Sequence, residues 1–187
     1  MTFLIASQIL NGLATGMLYS LMAVGLTLIL GALNIPNFAH GVLFAFGAYF
    51  TYAITEMTGS FYLAILIAPL LVAVMGFVLE SQGIQRLYSA HHDYQLLFLF
   101  ATALILQEVI ILIWGPVGFS VQPPASLQGA VDLGITVYPK YRLAVLAFGI
   151  VIIMALYFFL NRTNLGAILR AGIENREMVM VLGVDIN

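Results

Sequence analysis

The chain alternates long apolar runs with short polar breaks, and the run lengths match a bilayer. Five runs approach the roughly 20 mostly apolar residues that a spanning helix requires: Leu13–Leu33, Phe38–Thr55, Phe61–Leu79, Leu96–Trp114 and Leu143–Leu160. The opening stretch, 1–11, is also apolar and either lengthens the first helix or lies along the interface. Between the fourth and fifth runs comes a segment rich in Gly and Pro, 115–141. Its turn signals predict a loop packed down on the bundle and not a separate domain. No internal repeat is visible. The pattern predicts an all-α, polytopic helical membrane protein, with about five transmembrane helices over 1–160 and a polar loop over 161–187.

Composition agrees with the class. Hydrophobic residues are 63% and charged residues 7% of the chain, whereas a soluble domain carries roughly 25% charged residues. Mean hydropathy is +1.08. A net charge of −2 gives no reason to expect nucleic acid as a partner, and the expected surroundings are membrane lipid. There is no cysteine, which excludes disulfides, thiolate metal sites and cysteine nucleophiles. The start MTFLIASQIL lacks a basic n-region and reads as mature protein. For orientation, Arg86, Arg162, Arg170 and Arg176 lie on one side of the five-span arrangement, and Lys140 and Arg142 on the other. Basic residues favour the inside, so the N-terminus is expected outside and the 161–187 loop in the cytoplasm. Trp114, Tyr138 and Tyr141 fall near the expected membrane boundaries, as amphipathic aromatics do.

Four features carry candidate chemistry. Gly12, Gly16 and Ser20 make a small-residue stripe that suits close helix packing, within the chain before between subunits. In Asn34-Ile35-Pro36-Asn37-Phe38-Ala39-His40-Gly41 the proline forces a helix break, and Asn37 is placed to cap a new helix from Phe38 with His40 in its first turn. This is either a tight hairpin turn or a break deep enough to present polar groups to a solute. Asn34, Asn37 and His40 are therefore candidates for lining a path. Glu108, beside Gln107, is the carboxylate well inside a run, which makes it either a transport group or a structural hydrogen-bonding partner. Glu80 and Glu56 sit at run ends and are expected to be solvated. The fourth feature is the loop NRTNLGAILRAGIENREMVMVLGVDIN. It predicts one short helix capped by Thr163 or Asn164 and ended by Gly172, and a second capped by Asn175 and ended near Gly183. Its three basic and three acidic residues give no cationic face for anionic lipid, so docking on a soluble protein is favoured over lying on the membrane.

Other chemistries lack their residues. His91-His92-Asp93 has no third ligand nearby, so no metal site is expected. No GxxxxGK[ST] loop occurs, and Ser, His and Asp form no nucleophilic arrangement, so no catalytic residue, enzyme activity or cofactor is expected.

Two blocks match a known family. Residues 11–52 (NGLATGMLYSLMAVGLTLILGALNIPNFAHGVLFAFGAYFTY) resemble the N-terminal part of the branched-chain amino acid ABC transporter permeases, in which N-G-L…G…Y-A-L…G-L-T-L…G…N-F-A-H-G is typical. Residues 161–187 resemble that family's cytoplasmic loop, R-T-x-x-G…R-A…N-R-E-M…L-G-V. Glu177 and Gly183 have the spacing of its E-A-A-x-x-x-G motif, with Met178 and Val179 in place of the two alanines. The Tyr138-Pro139…Tyr141-Arg142-Leu143 stretch also fits. The resemblance implies a multi-pass subunit of the bacterial inner membrane that imports branched-chain or related small amino acids. Its implied partners are ABC ATPase subunits, a second permease and a periplasmic substrate-binding protein. Arg170, Glu174, Glu177 and Gly183 become candidates for coupling to the ATPase. Family members continue with roughly three further spans, so the chain resembles the first two-thirds of a permease. Two alternatives stand beside this reading. One is a passive channel for urea, water or similar solutes, suggested by Asn34-Ile35-Pro36 but lacking the second, inverted copy of that turn. The other is a structural membrane subunit.

Overall fold

The structure, a computed structural model, describes residues 1–33, 36–88, 90–134 and 136–174. Six α-helices occur among them: α1 (Thr2–Leu33), α2 (His40–Thr58), α3 (Phe61–Gln82), α4 (His92–Trp114), α5 (Lys140–Arg162) and α6 (Asn164–Glu174). A short antiparallel hairpin, β1 (Ala130–Asp132) and β2 (Val137–Pro139), precedes α5 and pairs Val131 with Tyr138. The elements fall into two compact units, one of residues 1–34 and 127–187, the other of 35–126.

Four stretches are long and apolar enough to cross a membrane: Phe3–Gly31, Phe61–Leu87, His92–Trp114 and Lys140–Arg162. The second expected span is present as α2, but its 19 residues do not reach that mark. Tyr49, Thr51, Tyr52, Thr55, Glu56 and Thr58 make its C-terminal half polar. The apolar start of the chain does lengthen the first helix. At 32 residues, α1 is about 48 Å long by the helical rise, more than the roughly 30 Å of a hydrocarbon core.

Between 6% and 11% of the residues in the four spans are buried. Leu, Ile and Phe side chains therefore point outward, which suits lipid as the solvent and would be ruinous in water. Hydroxyls at that depth are satisfied by their own helix: Ser20 Oγ donates to the Gly16 carbonyl at 2.8 Å, Thr27 Oγ1 to Ala23 at 2.7 Å and Thr51 Oγ1 to Gly47 at 2.8 Å. Such back-bonding satisfies these three donors within their own helices.

In the 35–126 unit, α2 and α3 form a helical hairpin. Gly59, at φ 66°, ends α2 in the left-handed conformation with its N–H on the Thr55 carbonyl. Ser60 Oγ then accepts from Leu63 N at 3.4 Å to start α3. Trp114 closes the far end of α4, its ring 5.1 Å from Tyr49 and 6.2 Å from both Phe46 and Phe50. Glu80, expected to be solvated, instead accepts a hydrogen bond from the Tyr88 hydroxyl, while Glu56 is exposed.

In the other unit, α1 packs on α5. They meet closely at Gly149, where an added Cβ would overlap the Met17 side chain. The stripe of Gly12, Gly16 and Ser20 is exposed, and among the described residues no neighbour lies within 4 Å of a Cβ built at either glycine. The intramolecular packing expected on that stripe thus has no partner among the described residues. Periodicity placed those small residues on one face, but α5 takes the Met17 and Leu21 side of α1 instead.

The 115–141 segment forms no domain of its own. Its first part lies in the 35–126 unit, with Phe119 stacked on Tyr52 at 4.5 Å and Ser126 Oγ 2.5 Å from the Tyr62 hydroxyl. Its hairpin lies on α1 in the other unit.

Candidate functional site

The helix break is built around Asn37. Its Oδ1 accepts from Ala39 N at 3.0 Å, and its carbonyl accepts from His40 N at 3.1 Å. The side chain therefore closes a turn ahead of the helix, and α2 begins at His40 and not at Phe38. Asn37 is 9% exposed and Ala39 fully buried, whereas His40 is half-buried. Phe38 points outward and meets Phe100 edge-on at 6.3 Å. Asn34 lies outside the described residues. Among the described residues the break thus offers His40 and the Asn37 amide nitrogen, while Asn37 Oδ1 is committed to its own backbone.

Glu108 lies on α4 six residues before Trp114, about 9 Å along the helix. It is exposed, as is Gln107, and it has no hydrogen bond or ion pair among the described residues. Nothing there links it to Asn37 or His40. Glu108 lies toward the Trp114 end of α4 and not at the helix centre, where a charged side chain costs about 2.5–3.5 kcal/mol.

An apolar cleft of about 420 Å³ opens between α2 and α3, lined by Leu43, Phe44, Gly47, Thr51, Ile65 and Pro69 among others. The Thr51 hydroxyl in it is spent on the Gly47 carbonyl. The cleft suits an aliphatic group and has nothing to hold a carboxylate or an ammonium.

At the polar loop, Thr163 caps α6 as expected. Its Oγ1 accepts from Gly166 N at 3.0 Å and donates to the Phe159 carbonyl at 2.7 Å. One residue therefore separates α5 from α6. Gly166 is buried where an added Cβ would strike the Phe159 and Leu160 carbonyl oxygens. The expected stop at Gly172 is corrected, because α6 runs through it to Glu174. Leu165, Leu169 and Ile173 fall on one face, and Arg170 and Glu174 on the other, both exposed. Ile173 lies against Gly31 of α1, where a Cβ would meet it at 3.2 Å. Glu177 and Gly183 lie outside the described residues. His91, considered as a metal ligand, starts α4 by accepting from Asp93 N, and its ring lies 3.3 Å from the Asp93 carboxylate.

One polar cluster escaped the sequence reading. Asn11 Oδ1 accepts from the Tyr138 hydroxyl at 3.1 Å and from the Arg142 guanidinium, and the Ser7 and Thr136 hydroxyls meet at 2.8 Å. Tyr138 is 2% exposed and Thr136 1%. Tyr138 is therefore no interfacial belt residue but the bolt of a clasp holding the hairpin to α1. The available signal was Asn11, an amide in an otherwise apolar stretch.

These features define a polytopic α-helical membrane protein with a helix break near one span and an amphipathic helix hung directly beneath another. The sequence profile of the family described as the branched-chain amino acid transport system / permease component matches residues 8–187, and the chain belongs to that family. It is 24% identical to the high-affinity branched-chain amino acid transport system permease protein BraD of Pseudomonas aeruginosa, over 96% of this chain and 62% of that protein. It is also 24% identical to the corresponding LivH of Escherichia coli, over 95% of this chain and 62% of the relative. A probable LivH of Methanocaldococcus jannaschii is 25% identical over 89% of this chain and 54% of its own length. The chain thus spans less than two-thirds of these relatives. No solved structure matches it.

Proposed function

We propose that the chain is a permease subunit of an ATP-driven importer for branched-chain or related small amino acids in the bacterial inner membrane. The observation that carries this is the junction of α5 and α6. A compact Thr163 turn hangs an amphipathic helix from a span, and the family match continues through that helix to residue 187. In this reading α6 and the residues after it dock on an ABC ATPase, with Arg170, Glu174, Glu177 and Gly183 as the coupling residues. The ATPase hydrolyses ATP, so this subunit needs no catalytic residue, metal or cofactor of its own. A second permease and a periplasmic binding protein complete the importer, and the binding protein delivers the amino acid. Closure of the ATPase pair moves the loop and tilts the attached spans, opening the path to each side in turn. Asn34, Asn37 and His40 line that path near the break. Glu108, out on the exposed face of α4, is left to a different role.

The test is co-purification with an ABC ATPase encoded beside this chain, paired with uptake of labelled leucine into cells. The double substitution Glu177→Ala with Gly183→Pro is expected to abolish both while the chain stays in the membrane. Full retention of the ATPase by the double variant would show that the coupling assignment is wrong.

A further inference from the structure

Helix α1 carries a line of polar residues along a span. Gln8, Asn11, Thr15 and Tyr19 follow one another by three, four and four positions, so they share one side of the helix. Met17, which meets α5 at Gly149, falls on the opposite side. Gln8, Thr15 and Tyr19 are exposed, Tyr19 at 68%. None of these three side chains has a hydrogen-bond partner among the described residues. Ser20 and Thr27 of the same helix give their hydroxyl protons to the Gly16 and Ala23 carbonyls, which satisfies them without water. Thr15 makes no such bond. Tyr19 lies near the middle of the Phe3–Gly31 span, where an unsatisfied phenol facing lipid is costly. Free polar groups at that depth belong in a water-filled cavity.

The line begins beside a cation. Asn11 Oδ1 accepts from both the Tyr138 hydroxyl and the Arg142 guanidinium, which fills its two lone pairs. Among the described residues Asn11 Nδ2 has no acceptor, and Arg142 is exposed with no carboxylate partner. Arg142 spends one N–H on Asn11 and keeps the rest of its donor fork. The cluster thus holds spare donors and a positive charge, which suits an oxyanion, and a carboxylate fits the fork through two parallel bonds. By the positive-inside bias this end of α5 faces outward. Two oxyanions can meet it there: the carboxylate of an arriving amino acid and the phosphate of a lipid headgroup. The groups beyond Arg142 decide between them. A headgroup stays at the surface and leaves Thr15 and Tyr19 in hydrocarbon, whereas a hydrated solute passing inward satisfies both. From Gln8 to Tyr19 the helix rises about 17 Å, roughly half of a 30 Å hydrocarbon core.

We propose that the Gln8–Tyr19 side of α1 lines the outer half of the solute path, and that Arg142, held by Asn11, receives the carboxylate of the amino acid at its mouth. The identity of the solute rests on the importer function proposed above. The wetness of α1 and the charge at its outer end do not.

The chain has no cysteine, so single introduced cysteines report cleanly. Thr15→Cys and Tyr19→Cys are made in the full chain in cells, with Leu13→Cys, exposed at 56% on the opposite side of α1, as the control. Each is treated from outside with an anionic and a cationic methanethiosulfonate of similar size, neither of which crosses lipid. The thiolate is the reacting species, and apolar surroundings suppress it. Both cysteines on the line should react at least about tenfold faster than Leu13→Cys, the effect of one pKa unit on the thiolate. Thr15→Cys should prefer the anionic reagent about tenfold, the scale on which a charged mouth concentrates a counter-ion. Arg142→Gln should abolish that preference and Arg142→Lys should keep it. Arg142→Gln should also lower leucine uptake about tenfold while the ABC ATPase still co-purifies. If both cysteines are as inert as Leu13→Cys, α1 faces lipid, Arg142 serves a headgroup and the proposal fails. It fails equally if the anionic preference or leucine uptake is unchanged by Arg142→Gln. Failure of the importer reading is distinct: the parent chain itself would then retain no ATPase and import no leucine. The comparison with Leu13→Cys leaves Asn11 and Arg142 intact, so misfolding of the Arg142 variants does not blunt it.

Discussion

Gly166→Ala separates the steric reading of the α5–α6 junction from a simple propensity argument. Alanine is a better helix former than glycine by about 0.8–1.0 kcal/mol, so in a free helix the change stabilises α6. At residue 166 the new methyl would instead collide with the Phe159 and Leu160 carbonyl oxygens and the Leu160 Cα, all backbone atoms of the preceding helix. Overpacking by one carbon typically costs about 1–3 kcal/mol, and a rigid backbone places this site toward the upper end. The collision also pushes on the turn in which Gly166 N donates to Thr163 Oγ1 at 3.0 Å, threatening a cap worth about 1 kcal/mol. The balance is a net loss of about 1–2 kcal/mol, set by propensity against overpacking. Reversible unfolding in mixed detergent micelles, followed by far-ultraviolet circular dichroism, measures it. Ala171→Gly on the same helix calibrates propensity and should lose about 0.8–1.0 kcal/mol. If Gly166→Ala is as stable as the parent or more so while Ala171→Gly loses the expected amount, the close approach of α6 to α5 is refuted.

The clasp and the α1–α5 contact give two further expectations. Tyr138→Phe should cost about 0.5–1.5 kcal/mol, one hydrogen bond, whereas Asn11→Leu should cost about 1–3 kcal/mol because it leaves a buried phenol without its acceptor. The double variant in the same unfolding assay should lose less than the sum, and strict additivity would show that Asn11 and Tyr138 do not interact. Gly149→Leu should cost about 1–3 kcal/mol by overpacking against Met17, and the added substitution Met17→Ala should recover part of it. An unchanged midpoint in Gly149→Leu would contradict the close crossing of these helices.

Hydropathy found the interior of each helix, because apolar runs are what lipid selects, but it missed the ends, which polar residues set. Helix α4 was expected from Leu96 and starts at His92, since His91 begins it with a side-chain hydrogen bond. The fifth helix was expected from Leu143 and starts at Lys140, just after Pro139 closes the hairpin. Asn37 was read as a cap and does act on backbone, but its turn lies before the helix, a distinction that depends on dihedral angles and not on residue type. The clasp was out of reach for a different reason. Asn11 and Tyr138 are separated by 127 positions, and no periodicity relates residues on different elements. Gly149 was overlooked because a lone glycine has no pattern, while Gly12 and Gly16 have a pattern but no neighbour among the described residues. Of the candidate coupling residues, Arg170 and Glu174 stand exposed on α6.

The contacts within the 1–34 and 127–187 unit decide what a push on α6 would do. At one end Thr163 ties α6 to the last turn of α5, and Ile173 lies against Gly31 of α1. In the middle Gly149 lets α5 and α1 touch through Met17. At the other end Ser7 and Asn11 hold α1 to the hairpin that leads directly into α5. A helix tethered to α5 alone could swing without disturbing the rest. Here α1 and α5 are joined at both ends and between, and packed side chains resist continuous deformation. Displacement of α6 must therefore tilt the two helices together and carry the hairpin with them. In the function proposed above, the clasp belongs to the body that α6 would move, and breaking it should then weaken transport more than ATPase binding, because α6 is left untouched.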